Sequence, residues 1–207
     1  MMLPLYLELE GRIVVIFGGG AVALRKARYL SKGSVTIVSR AFHPDLHGLP
    51  VRMIEGEAMD HIGLVDGAFL VIAATGDPEV NAAIAERART AGAFLNRDDE
   101  VGTFLIPSVV EGDGFSIAIS TLGRSPGFSR YLRRRLESSL GEELGRMVRL
   151  QEELREEARA VIPDQAGRER FLRSILEDEG IWRSIAEDYE KARATALARL
   201  RVREHDT

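Results

Sequence analysis

Cysteine is absent from the 207-residue chain, which excludes disulfides, thiolate nucleophiles, iron–sulfur clusters and cysteine zinc sites together. The cytoplasm is therefore the expected location. Histidine is scarce, with four residues scattered along the chain, and no ligand spacing suggests a permanent metal site. No apolar run approaches the roughly 20 residues needed to span a bilayer. The first ten residues lack a basic segment and carry Glu8 and Glu10, unlike a secretory signal. Lysine is nearly missing as well: Lys26, Lys32 and Lys191 are the three lysines, and the other 25 of the 28 basic residues are arginine. The planar guanidinium suits carboxylates and phosphates. A net charge of -4 nevertheless argues against a general nucleic-acid binder, so neither nucleic acid nor membrane is expected as a partner.

What is present is a hydrophobic content of 45%, enough for a real core, in a length that suits one standard domain plus a smaller appendage. Arg12 to Phe17 (RIVVIF) is a short apolar run that ends in Gly18, Gly19 and Gly20, and a helical pattern from Val22 to Leu30 follows. Ser34 to Val38 (SVTIV) is β-branched and closes a βαβ unit. Val51 to Ile54, Phe69 to Ala73 and Phe94 to Asn96 are further strand candidates, with an amphipathic helix over Pro78 to Ala91. Alternating strands and helices predict an α/β, doubly wound parallel sheet of Rossmann type. After residue 110 a turn cluster (Glu111 to Gly114) precedes an alternating strand, Phe115 to Ser120. A loop over Gly123 to Gly127 then leads into an arginine-rich helix. Glu142 to Arg203 is built of helix formers, with breaks expected near Pro163 and Gly180. The expected division is a nucleotide-binding domain over 1–112, a dimerisation and substrate segment over 113–143, and a helical domain over 144–207.

Gly18, Gly20 and Ala23 satisfy G-x-G-x-x-A between a strand and a helix. One glycine permits the tight turn, one lets the backbone reach a pyrophosphate, and small Ala23 lets the helix approach the sheet. The N–H groups of Ala21 and Val22 would face the phosphates at the positive end of the helix dipole. The position that selects NAD through an acidic residue holds Ser39 and Arg40 instead. Arg40 could meet a 2′-phosphate, which tilts this feature toward NADP, or it could be a solvated charge. Thr75 and Gly76 follow the fourth strand, and Asn81 lies just inside the next helix. This is the carboxyl edge where open α/β sheets bind ligands: Thr75 and Gly76 either line the nicotinamide side of the cleft or turn the chain, and Asn81 favours a polar, cofactor-facing role.

Asp98, Asp99 and Glu100 follow the fifth strand at that same edge. Removing a hydride from carbon also requires an acceptor for a proton, and crowding by other acids raises a carboxylate's pKa. Without that chemistry the trio is a solvated loop. Ser125 can cap, and Pro126 begin, a helix carrying Arg130, Arg133, Arg134 and Arg135. Such arginines bind carboxylates in bidentate fashion, or they pair with Glu137 on an exposed helix.

Several stretches together resemble one family: LPLYLELEGRIVVIFGGGAVALRKARYL (3–30), FLVIAATGDPEVN (69–81), FLNRDD (94–99), TFLIPSVV (103–110) and FSIAISTLGRSPGFSRYLRRRLE (115–137). They are similar to the precorrin-2 dehydrogenase/sirohydrochlorin ferrochelatase family, stand-alone relatives of the N-terminal half of bacterial sirohaem synthase. The likeness is dense over residues 3 to 140 and loose in the helical tail. It implies NAD-dependent oxidation of precorrin-2 to sirohydrochlorin on a homodimer, with the active site between the Rossmann domain and the following segments. The substrate is then an anionic tetrapyrrole, in keeping with the arginines. The family's N-V-x-D string places its catalytic aspartate on Asp99, counting from Asn96; a loop shorter by about two residues before Phe104 keeps Asp98 as the alternative. A serine that some members carry near the active site corresponds to Thr121, and the arginine helix supplies Ser125, Arg130 and Arg134 as substrate-binding candidates. Members use NAD, which outweighs the Arg40 argument for NADP. Some also insert iron into sirohydrochlorin, and that activity stays open.

Two other classes share parts of this pattern. A short-chain dehydrogenase needs Tyr-x-x-x-Lys, and none of Tyr6, Tyr29, Tyr131 or Tyr189 has lysine four residues later. A non-enzymatic NAD(P)-sensing module would keep the glycine turn but need no acid at the sheet edge.

Overall fold

The computed structural model describes residues 2–97, 99–100 and 102–204, the last three through their backbone alone. The chain forms two compact units, Met1–Ile106 and Pro107–Thr207.

In the first unit the apolar runs become short parallel strands. They are β1 (Ile13–Phe17), β2 (Ser34–Ser39), β3 (Arg52–Glu55), β4 (Leu70–Ala73) and β5 (Phe94–Arg97), in the order β3-β2-β1-β4-β5. Helices α1 (Ala21–Leu30) and α2 (Pro78–Ala91) make two of the crossovers, and short 3₁₀ turns at Pro44–Gly48 and Met59–Val65 serve the others. The strand period of two explains why β1 is apolar throughout. Val14 and Ile16 join one core with Ala23, Leu24, Ala27 and Leu30 of α1. Val15 and Phe17 join another with Ile84 and Ala88 of α2. Each of these large side chains contributes about 1.5–3 kcal/mol by leaving water. The doubly wound parallel sheet expected from the sequence is thus the observed one.

Helix α2 keeps the expected bounds because its ends are chemically marked. Asp77 accepts hydrogen bonds from the Glu79 and Val80 N–H groups, Pro78 occupies the first turn, and Gly92 at φ 71° closes the C-terminus.

The second unit starts with a hairpin, β6 (Ser108–Gly112) and β7 (Phe115–Ile119), turned through Asp113 and Gly114. Strand β6 is absent from the sequence-based reading. Its residues follow the parallel-sheet region without a break in texture, and they pair only with β7. Helix α3 (Pro126–Ser139) packs on both strands. It begins at Pro126 with Ser125 as its cap, as the sequence suggested, the Ser125 hydroxyl accepting from the Phe128 N–H.

Helices α4 (Glu143–Val161), α5 (Gln165–Leu176), α6 (Glu179–Glu187) and α7 (Tyr189–Glu204) surround a separate core that includes Leu150, Leu154, Phe171, Ile175 and Ile185. The starts of α5, α6 and α7 are set by aspartates: Asp164 accepts from Gly167 N–H, Asp178 from Ile181 N–H and Asp188 from Lys191 N–H. The break expected at Gly180 accordingly falls two residues earlier, and Gly180 lies inside α6. A cap supplies a hydrogen bond to an otherwise orphaned donor, which outweighs the weak helix propensity of one glycine.

Two neighbouring glycines should respond differently to a methyl group. Gly18 has φ 115°, and a Cβ there would stand 2.1 Å from the Ala74 carbonyl oxygen. Gly20 has nothing within 4 Å of a Cβ and an ordinary φ of -83°. Gly18→Ala should cost about 1–3 kcal/mol from backbone strain alone, and more from the clash. Gly20→Ala should stay within about 0.5 kcal/mol of wild type. Urea unfolding distinguishes the two, and equal midpoints for both variants would refute this account of the turn.

Candidate functional site

The first part of the site is the turn from β1 to α1. Gly18 N–H donates to Val38 at 2.8 Å and His43 N–H donates to the Gly19 carbonyl at 2.7 Å, which fixes the loop against β2 and the segment after it. Gly20 is the N-cap of α1 and offers no side-chain cap, and the first turn has no acidic residue. Leu24 N–H takes the Gly20 carbonyl, so the N–H groups of Ala21, Val22 and Ala23 have no acceptor within the helix. Ala23 is fully buried under the helix. Glycine at position 20 leaves open space before these donors, as the approach of a pyrophosphate requires. The residues fit the diphosphate of a dinucleotide.

Ser39 ends β2, and its hydroxyl accepts from Ala41 N–H at 3.4 Å. Arg40 is 80% exposed and its Nε stands 3.6 Å from the Glu57 carboxylate. Glu57 lies just beyond β3, too far along the chain for sequence reasoning to pair it with Arg40.

The second part is a network across the ends of β4, α2 and β5. Asn81 is buried on the first turn of α2. Its Oδ1 accepts from the Thr75 N–H (3.1 Å) and hydroxyl (2.7 Å), and its Nδ2 donates to the Thr75 carbonyl (3.2 Å). The Asn81 amide also helps to lower the pKa of Asp99, after the larger effect of Arg97. Arg97, the last residue of β5, grips Asp99 with two parallel bonds, Nε to Oδ1 and Nη2 to Oδ2, both 2.9 Å. Its third nitrogen, Nη1, lies 2.9 Å from Glu100. The Arg97 side chain is 11% exposed and that of Asp99 29%. Thr75, Asn81 and Asp99 are therefore brought together, while Asp98 lies outside the described residues.

Arg97 was missed in the sequence, where an arginine beside three acids reads as a surface ion pair. Its presence reverses the electrostatics expected of the acidic cluster. The hydrogen bonds from Arg97 hold the Asp99 carboxyl well below its ordinary 3.8, at about 2, with backbone and Asn81 donors assisting against the opposing effect of burial.

The segment that carries Asp99 is tied at its base. Thr103 N–H donates to the Leu95 carbonyl and Leu95 N–H donates to the Thr103 hydroxyl, both at 2.7 Å, while Asn96 Nδ2 donates to the Phe104 carbonyl at 3.0 Å. A Cβ on Gly102 would stand 2.2 Å from the Leu95 carbonyl oxygen, so only glycine allows this close return.

In the second unit, Thr121 is stitched to the start of α3. Its hydroxyl accepts from the Ser125 N–H (3.0 Å) and the Ser129 hydroxyl (3.3 Å). Arg133 is taken by Glu137 at 2.6 Å. Arg130 and Arg134 are exposed and form no ion pair among the described residues, which leaves their guanidinium groups available to an anion. No group of three or more His, Cys, Asp or Glu among the described residues could hold a metal ion.

A family model for NAD(P)-binding matches residues 5–108. A precorrin-2 dehydrogenase of Methanosarcina barkeri is 40% identical over 206 residues, covering 95% of this chain and 92% of its own length. Two sirohaem synthases of Aeromonas hydrophila are 37% and 35% identical over 173 and 204 residues, covering 82% and 96% of this chain. The chain spans 37% and 44% of their lengths. Among solved structures, SirC, precorrin-2 dehydrogenase, superposes with a TM-score of 0.71 at 21% identity, covering 92% of this chain and 100% of its own, and so shares the fold. With such similarity along nearly its whole length, the chain belongs to the precorrin-2 dehydrogenase family.

Proposed function

We propose that this protein is an NAD-dependent precorrin-2 dehydrogenase of sirohaem biosynthesis, oxidising precorrin-2 to sirohydrochlorin. The observation that carries the reading is the placement of two functional parts on one sheet edge. The open glycine turn follows β1, and the Arg97-held Asp99 follows β5. In open α/β sheets that edge is where a dinucleotide and its substrate meet. The free N–H groups at Ala21 and Val22 would bind the pyrophosphate, Ser39 and Arg40 would face the adenosine ribose, and Thr75 with Asn81 would border the nicotinamide. Arg40 is an exposed charge 3.6 Å from Glu57, and the family likeness supports NAD over NADP.

NAD, when bound, accepts the hydride. The chain's residues bind and orient: Asp99 presents a carboxylate to the macrocycle. Arg130 and Arg134, with Ser125 and Thr121 at the helix start, are suited to its carboxylate side chains. A sensor without chemistry has no use for an acid so firmly held at this edge.

The three-part division into 1–112, 113–143 and 144–207 belongs to the same proposal, with the middle segment pairing two copies into a homodimer in the cytoplasm. Support comes from α3 and from the hairpin whose second strand, β7, opens this segment. A two-stranded sheet is marginal alone, α3 buries only Ser129, and Leu122, Phe128 and Tyr131 are exposed by 59%, 51% and 53%. No helix among the described residues is long and apolar enough to cross a membrane.

Incubation with precorrin-2 and NAD should produce NADH absorbance, and Gly20→Asp should abolish NAD binding in calorimetry by placing a side chain and a negative charge before the phosphates. Absence of NADH would reject the function, and unchanged NAD affinity in the variant would reject the turn as its site. Light scattering should give twice the monomer mass, and a monomer at micromolar concentration would contradict the assigned role of 113–143.

A further inference from the structure

Arg97 is heavily engaged at the sheet edge. Its three guanidinium nitrogens reach two carboxylates, Asp99 in parallel bidentate geometry and Glu100 singly. Such planar, two-bond pairing fixes both the position and the rotation of a carboxylate, which a lysine ammonium cannot do. Gly102 packs closely against the Leu95 carbonyl and Thr103 is hydrogen-bonded to Leu95, so the chain is anchored there as well as at the Arg97–Asp99 pair. On the α2 side the Asn81 amide meets the same carboxylate, and Asn81 is itself locked to Thr75. Among the described residues the charged groups at Asp99 are Arg97 and Glu100, and the cation is shared between them.

We propose that Arg97 is a positioning residue of the dehydrogenation, holding Asp99 as a fixed anion in one orientation toward the macrocycle. This rests on the functional reading above. In the reaction the substrate loses a hydride from carbon to NAD, giving NADH, and the cationic macrocycle left behind loses a proton to water. A carboxylate that is already anionic and already oriented stabilises the positive charge as it develops, without reorganisation at that moment. It need not retain the proton. The low proton affinity that Arg97 imposes on Asp99 suits this division of labour, because a carboxylate so acidic is a poor terminal base at neutral pH.

The test uses the full chain with Arg97→Ala and Arg97→Lys. Steady-state rates with precorrin-2 and NAD should show kcat falling on the order of 10²-fold in Arg97→Ala, the cost of a misplaced reacting group. KM for NAD should stay at the wild-type value. Arg97→Lys, which restores charge without the fork, should recover part of the loss. Carboxyl-labelled aspartate followed by carbon NMR, with Asp99 assigned from Asp99→Asn, gives a readout apart from turnover. The wild-type resonance should be flat through neutral and mildly acidic pH, whereas Arg97→Ala should titrate near the ordinary value of about 4. Wild-type kcat in Arg97→Ala, or a loss of kcat with an unmoved Asp99 titration, would overturn the positioning role. A wild-type chain that forms no NADH from precorrin-2 would remove the functional reading and the role together, while wild-type turnover with an indifferent Arg97→Ala removes the role alone.

Discussion

At position 18 the backbone turns away from β1 with a positive φ, against the carbonyl of Ala74 at the end of β4. Only a residue without Cβ fits there, and the rest of the first unit depends on it. Because β1 can stop beside β4, α1 starts directly above the crevice between the two central strands, with its N–H groups unspent. The crevice lies where the chain's path through the sheet reverses direction, from β1 outward to β2 and β3 and then across to β4 and β5. That reversal leaves room for a ligand.

The same edge gathers the polar network that the strands themselves exclude. The ends of β4 and β5 are adjacent, so Thr75 and the Arg97–Asp99 pair are close in space although more than twenty residues apart in sequence. Asn81 joins them, and its buried amide satisfies the backbone of Thr75 while reaching Asp99. The pH consequence has a definite sign. A carboxyl whose pKa is lowered by folding adds stability above its ordinary value of 3.8, and that contribution fades as pH falls toward about 2. Across neutral pH Asp99 stays ionised, so any pH dependence of turnover there comes from groups other than this one.

Much of this architecture was legible because local and global preferences agree. RIVVIF before three glycines leaves few choices other than a buried strand and a turn, and Asp77, Pro78 and Gly92 mark both ends of α2. The sequence was less explicit where a partner lies elsewhere in the chain. Strand β6 has no meaning without β7, and Glu57 becomes relevant to Arg40 only when β2 and β3 lie side by side. The helical breaks were misjudged at Gly180 because Asp178 and Asp188 cap through hydrogen bonds that composition does not reveal. At the candidate site, Thr75, Asn81 and the acidic pair Asp98–Asp99 were named from their place at the carboxyl edge of the sheet, with Asp99 favoured by the family resemblance. Arg97 was not, since its meaning lies in the geometry of its fork, and with it the expected upward pressure on the Asp99 pKa turned into a downward one.

The central claim is that the nucleotide turn and the Asp99 carboxylate act on one reaction from one sheet edge. Asp99→Asn tests it most directly, because it keeps the shape of the side chain and removes its charge. In a single turnover with NAD bound and precorrin-2 in excess, hydride transfer measured by stopped-flow NADH absorbance should slow by about 10²- to 10³-fold, as on losing one preorganised charge-stabilising group, while NAD affinity and thermal unfolding stay close to wild type. Hydride transfer at the wild-type rate in Asp99→Asn would contradict the claim.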